Sequence, residues 1–452
     1  MFYYNERLIR TVGFVGLGKS NIGVLEYLKK HYANLEFTLR SSSPVEFDGA
    51  IFKRCYFGKD SFKDIIEDIL FLSPSVRRDI PELVRAARAG VILSSDTELF
   101  FSRVTSDVYA VTGSDGKSTT TYLTASLLKG SYKNVYPCGN IGEAMTPHLD
   151  DANSAHVTEL SSFQLFYSKP SSRRAVITNI TENHLNWHKS FEEYVEAKKN
   201  ILFRADERII NYDCPVSRRL IKDFGIFAVF SKTYSEEYLK RKIAADLYIT
   251  LSDGIITASG EPMLDARKIR VGGEYNVLNF MAAIAMSYGR CTKDDVAWLA
   301  ESFRGLRHRC ELIAEKNGVK YYDSSIDSSP KRCTATLSGF SERVTVILGG
   351  KSKGLDFSEL LPALSKKTKR IILTGECAYE IKEILDSDKS FSSLGIAYDL
   401  IEDFGEAVRF SVTTAECGDS VILSPAATSY DRFKNFEERG DYFAKLIKEF
   451  TK

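Results

Sequence analysis

An apolar run, Val108–Val111, breaks into Thr112-Gly113-Ser114-Asp115-Gly116-Lys117-Ser118-Thr119, and this stretch constrains the chain more than any other. The run reads as a buried strand, and the residues beyond Thr119 read as a helix. A strand, a glycine-rich turn and a helix in that order belong to a parallel α/β sheet. They leave backbone N–H groups and a helix N-terminus facing one point, where an anion fits. Lys117 adds a point charge, and the Ser118 hydroxyl stands where a phosphate-bound Mg²⁺ is reached. The spacing is shorter than in a standard P-loop: two residues, rather than the usual four, separate Gly113 from the Gly116-Lys117 pair.

A chain of 452 residues is too long for one core, so two or three domains are expected. Its net charge of +1 gives no global reason for a nucleic-acid or membrane-surface partner. No apolar run approaches the ~18 residues of a membrane span. The N-terminus lacks the basic-then-apolar form of a signal peptide. Eight scattered cysteines without a Cys-x-x-Cys pair read as small buried hydrophobes and free thiols of the cytosol.

The first hundred residues alternate strand and helix candidates: Thr11–Val15, Asn21–Lys30, Leu35–Leu39, Pro81–Ala89 and Gly90–Leu93. This is a βαβ rhythm. The first turn, Gly16-Leu17-Gly18-Lys19-Ser20-Asn21-Ile22-Gly23, approximates a dinucleotide fingerprint with Asn21 in place of its third glycine. Arg40 ends the second strand where an acid would bind a ribose, which favours a phosphate- or diphosphate-bearing ligand over NAD. Three blocks follow from the alternation, 1–104, 105–304 and 305–452. In the last, Arg343–Leu348, Arg370–Leu373 and Ser420–Leu423 read as strands and Phe443–Phe450 as a helix.

Several clusters carry candidate chemistry. Glu159 follows the apolar strand His156–Thr158, where one carboxylate beside a phosphate loop suits Mg²⁺. His184 and His188 stand four apart after the strand Ala175–Ile177, without an H-E-x-x-H pattern; His184 gains from its place beyond a strand's C-terminal end. Lys198 shares a helical face with Tyr194, and spacing alone makes it a solvated surface lysine. Gly305–Glu311, Tyr321–Ser325, Gly349–Asp356, Leu423–Asp431 and Phe433–Phe436 are strand-end loops that could hold small anions or be plain turns.

Taken in order, Thr112-Gly113-x-x-Gly116-Lys117-Ser118-Thr119, Gly139-Asn140-Ile141-Gly142, Glu159–Leu165, Asn179-x-Thr181-x-x-His184-Leu185, Ala197-Lys198 and His308-Arg309 resemble the Mur ligase family of ATP-dependent amide-bond synthetases. Ser161-Ser162-Phe163-Gln164-Leu165 and the ending Leu423-Ser424-Pro425-Ala426 through Phe433-Lys434-Asn435-Phe436-x-x-Arg439-Gly440 are similar to the member that adds D-glutamate. The resemblance implies an α/β chain of three domains, with N- and C-terminal Rossmann-like parallel-sheet domains flanking a central P-loop-type ATPase domain. It implies ATP and two Mg²⁺ ions as cofactors. D-glutamate would join UDP-N-acetylmuramoyl-L-alanine through an acyl phosphate, in bacterial peptidoglycan precursor synthesis. The expected protein is a cytoplasmic monomer with no nucleic acid and no membrane insertion.

The same resemblance assigns residues. ATP falls to Gly113, Ser114, Asp115, Gly116, Lys117, Ser118 and Thr119, with Asn276, Arg309 and Asp323 at adenine, phosphate and ribose. The metal ligands are Ser118, Glu159, His184 and a carbamylated Lys198, and the catalytic set is Lys117, His184 and Lys198. The UDP-sugar falls to Lys19, Ser20, Arg40, Ser75, Asn140, Ser161, Gln164 and His184. D-glutamate falls to Lys353, Ser429, Tyr430 and Phe436. The chain departs from the family at Asp115 (usually Asn), at Asn183 (often Asp), and at Ser324-Ser-Ile-Asp-Ser-Ser-Pro330, where Ser-Lys-Ala-Thr-Asn is usual. A related Mur ligase with another acceptor and a nucleotide-sugar-binding ATPase remain as rival readings.

Overall fold

Short apolar runs pair into three large sheets, and the order of their strands explains where the loops named above end up. The computed structural model describes residues 1–43, 45, 49–271 and 273–452. Two compact units emerge: Met1–Ala266 with Leu278–Leu299, and Arg267–Val277 with Ala300–Lys452.

The first unit holds two of the sheets, after a small hairpin of Phe2–Tyr4 and Arg7–Ile9. One sheet is parallel throughout, in the order Phe52–Phe57, Glu36–Ser41, Thr11–Val15, Ile69–Leu72, Ile92–Ser94. Its Asn21 explains the imperfect fingerprint. The side chain is fully buried and donates to the Val15 and Gly16 carbonyls, so it fastens the first turn where a glycine would merely permit close packing. The helix after that turn runs Lys19–His31, with Gly18 at its N-cap.

The second sheet has nine strands, in the order Glu261–Asp265, Ile255–Ala258, Ala245–Ser252, Ile226–Ser231, Arg204–Asn211, Ser171–Ile177, Asp107–Thr112, Ser154–Glu159, Asn134–Gly139. The pairs from Ala245–Ser252 onward are parallel, and the first two strands attach antiparallel. The phosphate-loop strand is interior and apolar on both faces, as a doubly covered parallel strand must be. The loops bearing Gly113, Asn140, Glu159 and Thr178 therefore leave neighbouring strands at the same sheet edge.

The second unit carries Glu311–Lys316, Val319–Asp323, Ser420–Leu423, Val344–Gly349, Thr368–Thr374 and Ala397–Leu400, parallel except for the first pair. The last helix runs Phe436–Phe450, not Phe443–Phe450. Its apolar face begins late in the sequence, but Asn435 caps it by accepting from the Glu438 amide at 2.8 Å. Four cysteines depart from the buried expectation: Cys55 and Cys417 are exposed, and Cys291 and Cys310 are only partly buried.

Gly440 sits where that helix presses on the His308–Asp323 pair. A Cβ there would lie 2.2 Å from His308 Nδ1 and 2.6 Å from Asp323 Oδ2. Gly440→Ala is expected to destabilise the protein by ~1–3 kcal/mol in denaturant unfolding. Gly225→Ala, where nothing lies within 4 Å, should stay within ~0.5 kcal/mol of the parent.

Candidate active site

The phosphate loop is shaped by two glycines, by neighbouring segments and by its own lysine. Gly113 has φ +157 and Gly116, the N-cap of helix Lys117–Leu128, has φ +77. A Cβ on Gly113 would fall 1.9 Å from Thr178 Oγ1, and one on Gly116 would fall 2.3 Å from Asn279 Oδ1. Neighbouring segments hold the turn between them. Asn179 accepts from the Ser114 amide through its carbonyl (2.9 Å) and from the Asp115 amide through its side chain (2.9 Å). Thr178 donates to the Asp115 carbonyl at 2.6 Å. Lys117 folds back to the carbonyls of Gly113 (2.9 Å) and Ser114 (2.8 Å), so it closes over the loop. Asp115 is exposed and Thr119 half-buried.

Beside the loop, Ser118 donates its hydroxyl to Glu159 Oε2 at 2.7 Å, and Asn140 donates its amide to Glu159 Oε1 at 2.7 Å. Glu159 is 1% exposed. A buried carboxylate whose two oxygens meet only neutral donors, next to a hydroxyl and a phosphate loop, is a hard-oxygen set that fits Mg²⁺. It is not an edge charge, because Asn134–Gly139 pairs outside its strand.

Lys198 corrects the surface-lysine reading. It is 1% exposed, on the inner face of helix Phe191–Lys199. Its Nζ donates to the Gly113 carbonyl at 2.7 Å and lies 4.7 Å from the Tyr194 ring centroid. The Tyr194 hydroxyl in turn bonds Ser114 Oγ at 2.8 Å. Burial pushes the Lys198 amine well below the ordinary lysine value, and the charge of Lys117 pushes the same way. The Lys198–Tyr194 spacing is visible in the sequence, and Ser190, which accepts from the Glu193 amide, marks where their helix starts.

The two histidines part. His184 is exposed, at φ +55, with its ring 5.0 Å from Phe163. His188 is buried, bonds Ser162 Oγ at 2.9 Å, and is pushed down to about 4 by burial. It belongs to the core and not to a zinc pair with His184. Ser161 and Gln164 form the capping box of the helix Ser162–Phe166.

The first sheet supplies the remaining residues of this unit. Lys19 is exposed; partial burial lowers its pKa, and the carboxylates of Glu143 and Glu159 oppose that shift. Ser20 bonds the buried Asp96 carboxyl. Ser75 is exposed, and its carbonyl accepts from the Trp187 indole at 2.8 Å. Arg40 contradicts its assignment. It is fully buried, paired with Glu67 at 2.8 Å, bonded to the Ser61, Lys63 and Asp64 carbonyls, and stacked on Tyr56 at 4.2 Å. Its guanidinium is saturated and ties the loop 61–67 to the sheet, so it has no face for a diphosphate.

In the second unit, Asp323 is fully buried. Its Oδ2 bonds His308 Nδ1 at 2.7 Å and its Oδ1 accepts from the Ser325 amide at 2.8 Å. His308 and Asp323 line a cleft of about 280 Å³ with Arg304, Arg307 and Glu311. Asn276 is buried and Arg309 exposed. Ser429 is buried, Tyr430 and Lys353 are exposed, and the Phe436 carbonyl accepts from Ser325 Oγ at 2.8 Å. Arg439 binds Ser325 Oγ and the Ala427 and Thr428 carbonyls, so it gathers the 325 and 427–428 loops. In the altered segment Asp327 is buried against Ser424 Oγ at 2.8 Å, and burial raises its pKa.

A phosphate loop backed by a buried lysine, in a chain that also carries two smaller, mainly parallel sheets, defines a class, and the chain belongs to the Mur ligase family. Residues 111–287 match the Mur ligase middle domain and residues 308–427 the Mur ligase glutamate ligase domain. The UDP-N-acetylmuramoylalanine–D-glutamate ligase of Acetivibrio thermocellus is 36% identical over 97% of this chain and 96% of its own, and that of Ruminiclostridium cellulolyticum 34% over the same shares. The fold is shared with the UDP-N-acetylmuramate-alanine ligase of Thermotoga maritima, at TM-score 0.59 and 19% identity over 98% of this chain and 100% of that one. It is shared too with a pseudomurein peptide ligase type C from Methanothermus fervidus, at TM-score 0.54 and 17% identity over 97% and 99%. Among the described residues no helix is long and apolar enough to cross a membrane.

Two measurements check this description. Arg40→Leu leaves Glu67 as an uncompensated buried charge and is expected to cost ~3–5 kcal/mol in urea unfolding; a loss under ~1 kcal/mol would restore a ligand role for Arg40. His156 and His188 are both held down to about 4 by burial, so the folded state binds fewer protons than the unfolded one below the ordinary histidine value of 6.5. Stability is present above pH 6.5 and is lost as pH falls toward 4, by on the order of 1–2 kcal/mol per histidine at pH 5. His188→Gln should flatten its share of that decline in a series of urea midpoints.

Proposed function

We propose that the chain is an ATP-dependent ligase that joins D-glutamate to UDP-N-acetylmuramoyl-L-alanine, with Lys198 acting as a carbamate. The observation that carries this reading is the lysine itself, buried against the phosphate loop and depressed in pKa. An amine must be neutral to take up CO₂. Its nitrogen lone pair attacks the carbon, one proton leaves, and the side chain becomes an anion. A buried anion beside Glu159 makes sense only if cations arrive there. The names of the relatives, their near-complete coverage and the hard-oxygen donors at Ser118 and Glu159 support the same reading.

The phosphate loop amides and Lys117 would bind the β- and γ-phosphates of ATP, with Lys117 swinging off the Gly113 and Ser114 carbonyls. Asn276, Arg309 and Asp323 would hold the rest of the nucleotide. Ser118, Glu159, His184 and carbamylated Lys198 would hold two Mg²⁺ ions, which when bound neutralise charge on the transferring phosphoryl group and the acceptor carboxylate. The terminal phosphoryl passes to the alanine carboxylate, giving an acyl phosphate. The D-glutamate amine, oriented by Lys353, Ser429, Tyr430 and Phe436, attacks the acyl carbon, and phosphate leaves from a tetrahedral intermediate. Lys19, Ser20, Ser75, Asn140, Ser161 and Gln164 are the proposed UDP-sugar contacts. Domain limits near 104 and 304, a monomer and a cytoplasmic site complete the reading.

Phosphate release from ATP with UDP-N-acetylmuramoyl-L-alanine should require D-glutamate across a panel of D- and L-amino acids. The product should be heavier by one glutamyl unit. Release driven by another amino acid would move the specificity to the segment 324–330, and release independent of any amino acid would favour the binding ATPase. Lys198→Ala is expected to lose about a hundredfold or more in kcat, with partial recovery in formate or acetate. Near-normal turnover in that variant would refute the carbamate.

A further inference from the structure

His184 sits on an exposed segment in the left-handed region, and part of what anchors that segment comes from outside it. The fastening comes from the first sheet. Arg77 lies in the turn after strand Ile69–Leu72, two residues from Ser75. Its guanidinium donates to the Trp187 carbonyl at 3.0 Å and to Glu193 at 3.2 Å, and is flanked by the Trp187 ring at 4.8 Å and the Phe166 ring at 5.0 Å. On its outer side it pairs with Asp79, which also binds Lys189 at 3.0 Å. In return, the Trp187 indole donates to the Ser75 carbonyl. The Trp187 and His188 amides each bond the His184 carbonyl at 3.0 Å.

One planar cation therefore reaches three elements: the turn bearing Ser75, the segment bearing His184, and Glu193 in the first turn of the Lys198 helix. Its side chain is 17% exposed and that of Glu193 22%, so the bonds are shielded more than a surface pair. Lysine offers a point charge in place of this fork and would serve one partner at a time. No other part of the mechanism uses Arg77.

We propose that Arg77 is a positioning residue for the UDP-sugar pocket: it latches the His184 segment and the head of the Lys198 helix onto the turn that carries Ser75. The inference rests on the ligase reading for the identity of the substrate. Removing the latch frees His184 and Ser75 together, while the amino-acid contacts in the other unit are untouched.

The test uses the full-length chain with Trp298→Phe, which removes the other, 69% exposed, tryptophan and leaves Trp187 as sole reporter. Arg77→Met is expected to raise KM for UDP-N-acetylmuramoyl-L-alanine about tenfold or more and to lower kcat, with KM for D-glutamate within about twofold of the parent. Arg77→Lys should fall between, and Trp187 emission should shift to the red in both. If Arg77→Met does not fold, the same split in Arg77→Lys decides. Unchanged constants, or equal rises in KM for all substrates, would overturn the latch. Should the parent show no D-glutamate-dependent turnover, the ligase reading fails separately. Titrating the nucleotide sugar against Trp187 fluorescence then still tests the latch: a parent response lost in Arg77→Met supports it, and an identical response overturns it.

Discussion

The burial of one amine against the Gly113 carbonyl organises the first unit. Among the described residues Lys198 meets no counter-charge in bonding contact; its bonds go to a backbone carbonyl and a threonine hydroxyl. A charged lysine there would pay a heavy desolvation penalty, so burial lowers its pKa and raises the share of neutral, nucleophilic nitrogen. The surroundings follow from that. Tyr194 covers the amine with its ring and braces Ser114 with its hydroxyl, and Glu159 waits across the loop with only neutral donors.

Two other buried charges show the opposite solution. Arg40 meets Glu67 in a saturated network, and Arg439 is surrounded by carbonyls and the Ser325 hydroxyl, with burial lowering its pKa to about 10. Each ties loops together, and Arg40 has no donor left for a ligand. What separates a structural charge from a reactive one in this fold is the presence of spare bonding capacity, and neither sign of charge nor depth of burial tells them apart.

Much of the fold was legible because it rests on short-range signals. Thr11–Val15 and Ser420–Leu423 match their strands, and the Gly-rich turn after Val111 announced itself. The strands of 204–265 are less legible, since they alternate with helices too short to show an apolar period, such as Pro215–Leu220 and Glu236–Lys242. Within the site, Glu159 and the phosphate loop were readable from local chemistry. Lys198 was not, because spacing places it on a face and only packing says which way that face points. Arg40 misled for the same reason: its partner Glu67 is distant in sequence. Arg77 left no signal at all, as its fork joins elements more than a hundred residues apart.

The most direct test of the account is the chemical state of Lys198. ¹³C NMR of the protein in ¹³C-bicarbonate should show one slowly exchanging carbamate resonance at neutral pH, absent from Lys198→Ala and lost on removal of CO₂. A spectrum without that resonance, together with a lysine amine titrating near its ordinary value of about 10.4, would contradict it.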